Sequence, residues 1–273
     1  MKDCKYPTDF PVNIYRPTEG HIANVLIRSG LFGVTRNGAN HGAGRWIIEG
    51  PNGLMLTLEG QKLSQRDLDV WLVCLNEGAT GLGRQITFSI RNTLKTLGVG
   101  VNGRSAESLR DCLTRLNRAH ISISQGDVRY DGRLIHTLNR DLSGTRFVYS
   151  LDPHLVNLWS RGWTRIDLTH RARLGRNQYA KWLHAYFSSH ERIIPHSIES
   201  LRVLCGCENG SIHDFRKKIL AASKIIEDKL GGVWKIDSKG RYLLELPRPA
   251  KDNNVTSINS KAGPRKKRLS DIF

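Results

Sequence analysis

The chain has 273 residues, of which 39% are hydrophobic, enough for two domains of ordinary size that each bury a core. Its formal net charge is +17 with a pI near 10.0, and no stretch approaches the roughly 18 apolar residues of a membrane span, so the pattern excludes a membrane protein and favours nucleic acid as partner. The cysteines Cys4, Cys74, Cys112, Cys205 and Cys207, without a signal peptide, indicate a reducing cytoplasm, with Cys74 and Cys112 on the apolar faces of predicted helices.

The excess of Lys+Arg over Asp+Glu is +1 for residues 1–60, +5 for 61–150, +7 for 151–249 and +4 for 250–273, which spreads the positive surface over both central segments. Residues 1–44 hold Pro7, Pro11, Pro17 and a Gly/Asn-rich run from Gly30 to Gly44, and are expected to form a flexible N-terminal segment. Arg45–Glu49 and Leu54–Leu58 bracket Pro51-Asn52-Gly53 as a hairpin.

Ser64 and Asp67 form a capping box ahead of Leu68, Trp71, Leu72 and Leu75, the stripe of a helix ending near Asn76. A loop follows from Gly78 to Gly83. A short alternating stretch, Gln85 to Phe88, leads into a second helix marked by Ile90, Leu94 and Leu97 and stopped at Gly98. Ala106, Leu109, Leu113 and Leu116 then mark a third helix over about 105–119. Helix, glycine turn, helix is a helix-turn-helix. Ile121–Ser124 is expected to pair with Arg133–Leu138 around Tyr130-Asp131-Gly132, and Arg146–Leu151 adds a strand, which completes an N-terminal winged-helix domain over 45–151.

The plan repeats over 152–249. A helix from about Arg173 to Ser189 buries Tyr179, Trp182, Leu183, Tyr186 and Phe187; Ile198, Leu201 and Leu204 mark another, stopped by Gly206. Asn209 and Ser211 are candidate N-caps of a basic helix over about 211–230, whose inner face carries Ile212, Phe215, Ile219, Ala222 and Ile226. Gly231-Gly232 ends it, and Val233–Ile236 and Tyr242–Leu246 flank Lys239-Gly240 as a wing. The fold class is therefore α+β, two tandem winged-helix domains, followed from Lys251 by a disordered basic tail (250–273) that contains Pro264–Arg268.

In such modules the second helix of the turn enters the major groove, where basic side chains read guanine edges and apolar ones touch the thymine methyl. The second module presents His213, Arg216, Lys217, Leu220 and Lys224 on that face against the single acid Asp214, with Lys235, Lys239 and Arg241 on the wing for phosphate. A merely solvated helix face is the competing reading. The first module offers Arg104, Thr114, Arg115 and Arg118, but Glu107 and Asp111 point the same way, so it is either a weaker DNA contact or a protein-facing, self-associating surface.

Other patterns carry less. Gly98-Val-Gly100-Val-Asn-Gly103 matches a dinucleotide motif in letters, yet follows a helix where the motif needs a strand. Cys205-Gly-Cys207 with His213 falls short of the four ligands of a zinc site. His170, Arg171 and Arg173 with Tyr179 and Tyr186 suggest a strand-cleaving recombinase, but Tyr186 lies on an apolar stripe. No cofactor, metal or catalytic set is expected, and the chain does not read as an enzyme.

Arg28-Ser29-Gly30-Leu31-Phe32, Ile86-Thr87-Phe88 running into Leu97-Gly98, Asn102-Gly103-Arg104, and Tyr186–His190 followed by Leu204-Cys205-Gly206 together resemble the TrfA family of plasmid replication initiators, over roughly residues 25 to 245. The resemblance implies a cytoplasmic bacterial protein, associated with plasmid and nucleoid, that binds double-stranded DNA at origin iterons. It also implies opening of an adjacent AT-rich segment, recruitment of the host initiator and replicative helicase, and a monomer–dimer self-association. A winged-helix transcriptional repressor, or autorepressor, without melting activity is the alternative.

Overall fold

The computed structural model describes residues 18–35, 42–78, 83–141, 145–192, 194–207 and 210–247. The expectations for Cys4, most of the Gly/Asn-rich run's centre, Asn209 and the basic tail lie outside these residues.

The chain opens on β1 (Glu19–Ala23), α1 (Asn24–Arg28) and β2 (Phe32–Gly33). This corrects the expectation of a flexible segment for 18–35: Ile22 and Leu26 are fully buried, and β1 pairs antiparallel with β11 (Trp163–Asp167), Glu19 opposite Asp167. Its partner strand lies far along the chain, so no local pattern announces it.

β3 (Gly44–Gly50) and β4 (Leu54–Gly60) form the expected hairpin, and β5 (Leu63–Ser64) pairs parallel with β2. α2 (Gln65–Gly78) begins at the capping box, in which Ser64 N and Oγ both donate to Asp67 Oδ2 at 2.8 Å. β6 (Ile86–Ser89), α3 (Ile90–Thr96) and α4 (Gly103–Arg118) follow, with Gly98 at φ +66° in the turn.

The next pairing differs from expectation. β7 (His120–Gln125) turns back at Gly126-Asp127, so that Gln125 faces Val128 and β8 (Val128–Arg133) runs through Tyr130-Asp131-Gly132. Ile121 and Ile123 on β7 and Val128 and Tyr130 on β8 alternate inward, which fixes this register. Gly132 is a close-approach residue: a Cβ there would lie 2.6 Å from Asp152 Oδ2. β9 (Thr137–Arg140) and β10 (Arg146–Ser150) then form the wing, and β3-β4-β7-β8 make a separate four-stranded sheet.

A 3-10 segment, Pro153–Arg161, leads to β11 and α5 (Leu168–Arg173). The single helix expected from Arg173 is broken: Gly175 takes φ +62°, and Asn177 Oδ1 accepts from Ala180 N at 2.9 Å to start α6 (Gln178–Ser188) afresh. α7 (Ile198–Leu204), α8 (Ile212–Leu230), β12 (Val233–Ile236) and β13 (Tyr242–Glu245) complete the chain.

The two halves share one sheet order. β6-β10-β9 places the strand before the helix-turn-helix beside the last strand of the wing, and in the second half a bridge from His196 to Tyr242 adds the same strand beside β13 and β12. One core cluster runs from Ile22 to Leu168 and takes in Ala185; the second is built from Leu174 to Leu244 with Val34 added. The first core thus reaches past residue 151, because Leu155, Leu158, Trp159 and Ile166 face it.

Candidate nucleic-acid interface

α8 owes its orientation to both of its ends. Its inner residues Phe215, Ile219, Ala222 and Ile226 are at most 1% exposed, which leaves the opposite face to solvent. Ser211 Oγ accepts from Asp214 N at 3.1 Å and lies 2.9 Å from Asp214 Oδ2, a closed N-cap that also draws the one acid of this face back to the helix start. Asp214's carboxyl is held below the usual range by the Ser211 hydroxyl first and by Lys217 and His213 further out. Gly206, at φ +63°, turns the chain from α7 towards α8, and Arg202 braces the connection by donating from Nη2 to Gly210 O at 2.8 Å and from Nε to Cys207 O at 3.2 Å. Sequence reading missed Arg202, because its role depends on carbonyls in a loop.

His213, Arg216, Lys217, Leu220 and Lys224 are all exposed on that outer face, as expected. Leu220, at 40%, is a large apolar side chain set among cations. Arg216, Lys217 and Lys224 form no ion pair among the described residues, whereas Lys218 turns aside to lie 5.8 Å from the Tyr179 ring centroid.

The wing is more self-contained than its sequence suggests. Asp237 Oδ1 accepts from Lys239 N and Arg241 N, each at 2.9 Å, while Oδ2 accepts from Arg241 Nε at 2.8 Å. Backbone donation from Arg241 leads the effects that hold the Asp237 carboxyl below its ordinary range. Lys235 is paired across the strands with Glu245 at 2.8 Å. Arg241 therefore shapes the tip, Lys235 has an exposed partner to give up, and Lys239 is left pointing to solvent.

On the first module, Asn102 Oδ1 caps α4 by accepting from Ser105 N at 2.9 Å. Arg104 and Arg118 are exposed, as are Glu107 and Asp111, and Thr114 is half-buried. Arg115 departs from the expected face: its Nη2 lies 2.9 Å from Asp67 Oδ1, a carboxylate whose side chain is 1% exposed, so it ties α4 to α2. The wing of this module carries exposed Arg140 and Arg146, missed in sequence because the strand pairing was misread; Arg140 lies 5.7 Å from the Phe147 ring centroid.

Residues 8–235 match the TrfA protein family profile. The chain belongs to the TrfA family. A relative, the plasmid replication initiator protein TrfA of Escherichia coli, is 26% identical over 172 residues, which are 60% of this chain and 44% of that protein, so the chain matches less than half the relative's length. Among solved structures, the Pi initiator protein in complex with iteron DNA superposes with TM-score 0.57 at 13% identity, covering 85% of this chain and 97% of that one. Domains 2 and 3 of RctB give 0.55 at 12%, covering 83% and 99%. The fold is thus the tandem winged-helix arrangement of these proteins.

In this TrfA-family chain the recombinase-like residues have structural partners. Arg171 is 2% exposed and donates to Asp69, and Tyr186 is stacked on Trp182 with centroids 4.9 Å apart. Cys205 and Cys207 are buried beside the turn, with Cys205 Sγ 3.3 Å from Arg202 O. Among the described residues no group of three or more His, Cys, Asp or Glu side chains is arranged to hold a metal ion, and no helix is long and apolar enough to cross a membrane.

Proposed function

We propose that this chain is a sequence-specific DNA-binding replication initiator that recognises tandem repeats at a plasmid origin. The observation that carries this reading is the outer face of α8, where Arg216, Lys217 and Lys224 stand exposed around Leu220 on a helix set by a glycine turn, in a chain of the TrfA family. α8 is the principal reader and its wing meets phosphate through Lys239. α4, whose Arg104 and Arg118 share their face with Glu107 and Asp111, makes the weaker second contact on the same site. Several copies on adjacent repeats bend the DNA and promote opening of a neighbouring AT-rich segment, where the host initiator and replicative helicase are received. The first module also serves self-association, with the DNA-binding form a monomer.

Selection of bound fragments from random DNA tests the reading: recovery of a defined sequence supports it, and recovery of unrelated fragments at equal affinity rejects it. Permanganate footprinting of the bound origin with host proteins present then examines opening. Reactive thymines are expected in the AT-rich segment, and their absence leaves a repressor on the same fold.

A further inference from the structure

The two modules meet along a seam whose polar groups are buried or half-buried. Asp69 of α2 sits between Arg171 of α5 and Lys181 of α6, with Arg171 Nε donating to Oδ1 at 2.5 Å and Lys181 Nζ to Oδ2. The same guanidinium donates to Gln65 Oε1 at 3.0 Å and to Lys181 O at 3.1 Å. A second tie runs from Arg28 Nε to Ser189 Oγ at 3.0 Å, with Nη2 donating to Ser189 O.

The third tie is main chain on main chain. Val34 N donates to Cys205 O at 2.9 Å, and Gly33 lies so close that a Cβ there would stand 3.2 Å from the same oxygen. A Cβ at Gly30 would stand 3.1 Å from Leu204 O. Residues 30–34, where the chain passes from Leu31 and Phe32 in the first core to Val34 in the second, therefore press on the very turn that aims α8.

From these contacts we infer that the seam is a ruler: it holds α8 at one position relative to α4, so the protein accepts one spacing between the two DNA contacts of its site. The inference rests on the reading that both modules touch DNA. Two readers joined by a flexible linker tolerate a range of spacings, because the tether supplies only local concentration. Here separation strands a buried carboxylate or guanidinium, and the second reader cannot drift without it. One added base pair shifts the far contact by about 3.4 Å and rotates it by about 35°, beyond what a fixed pair of helices can follow.

The test uses the full chain on the DNA fragment recovered by selection, with hydroxyl-radical footprinting to locate the two contacts and one or two base pairs then inserted between them. For the wild-type chain one inserted pair lowers affinity by about tenfold or more. Asp69→Asn, Lys181→Met and Gly33→Ala weaken binding at the native spacing yet flatten the profile, losing less than about threefold on insertion. A merely structural role lowers affinity by the same factor at every spacing. Circular dichroism and a single melting transition establish that each variant is folded; where Asp69→Asn is not, Lys181→Met and Gly33→Ala carry the comparison. Folded variants with the wild-type profile, or a wild type that tolerates insertion, overturn the ruler alone. Failure to recover any preferred fragment overturns the two-reader assignment and the ruler with it.

Discussion

Arg216 and Lys217 stand on α8 without ion-pair partners among the described residues, so under the proposed reading a phosphate or a guanine edge would meet them without first displacing a paired carboxylate. Lys235 must leave Glu245, an exposed pair of little net worth. Arg216→Ala and Lys217→Ala are each expected to cost about 1–3 kcal/mol of specific binding, and Lys235→Ala under about 1 kcal/mol, measured by gel shift on the selected fragment. The residues also predict an acid response. His184 is buried at 5% exposure beside a small cavity of about 80 Å³, and burial first, with the Arg171 charge next, pushes its pKa from 6.5 to about 3. An unfolded histidine takes a proton near 6.5 that the folded one refuses, so this contribution is intact above that pH and declines as pH falls towards the folded value. At about pH 5 His184 alone costs about 2 kcal/mol, and His190, lowered to about 4 chiefly by burial, acts in the same direction. Urea unfolding at several pH values between these limits should show the decline, and His184→Gln should reduce it.

Among the elements, the α7–α8 turn concentrates the consequences. Gly206→Ala meets no clash, its new Cβ lying in ordinary contact 3.5 Å from Gly30 O and 3.7 Å from Gly33 Cα, but must hold φ +63°. It should cost about 1–2 kcal/mol in thermal or urea unfolding and weaken DNA binding further, because the strain is relieved by re-aiming α8. α8 was legible because Phe215, Ile219, Ala222 and Ile226 recur at helical steps and Ser211 caps them; the wing was legible because Lys239-Gly240 separates two apolar runs. The β7–β8 register was not, since Gly126-Asp127 and Asp131-Gly132 are equivalent turn signals until Asp152 is seen filling the space beside Gly132. Nor was Arg115 legible as an inward residue. It lies on the flank of α4, and only the position of Asp67, 48 residues away in sequence, decides which way it turns. The outward α8 set was readable from spacing; the seam was not, because each of its ties joins residues distant along the chain.

For the whole molecule, the net charge of +17 predicts that the proposed DNA binding depends strongly on salt. If α8, its wing and α4 together neutralise about four to six phosphates, log K against log salt should fall with a slope of about −4 to −5 in a titration, and Lys239→Ala should make it shallower by about one. The placement of residues 18–34 has a different consequence, for the order in which the molecule is made. Glu19–Ala23 leaves the ribosome early but finds its partner strand only when Trp163–Asp167 has been synthesised, and Arg28 waits for Ser189, 161 residues later. During synthesis β1 can pack on α2 but stays without its paired strand until β11 has been made. Early-made and late-made segments therefore close the structure together, and nascent chains released before about residue 190 should be sensitive to proteolysis at their N-terminal end.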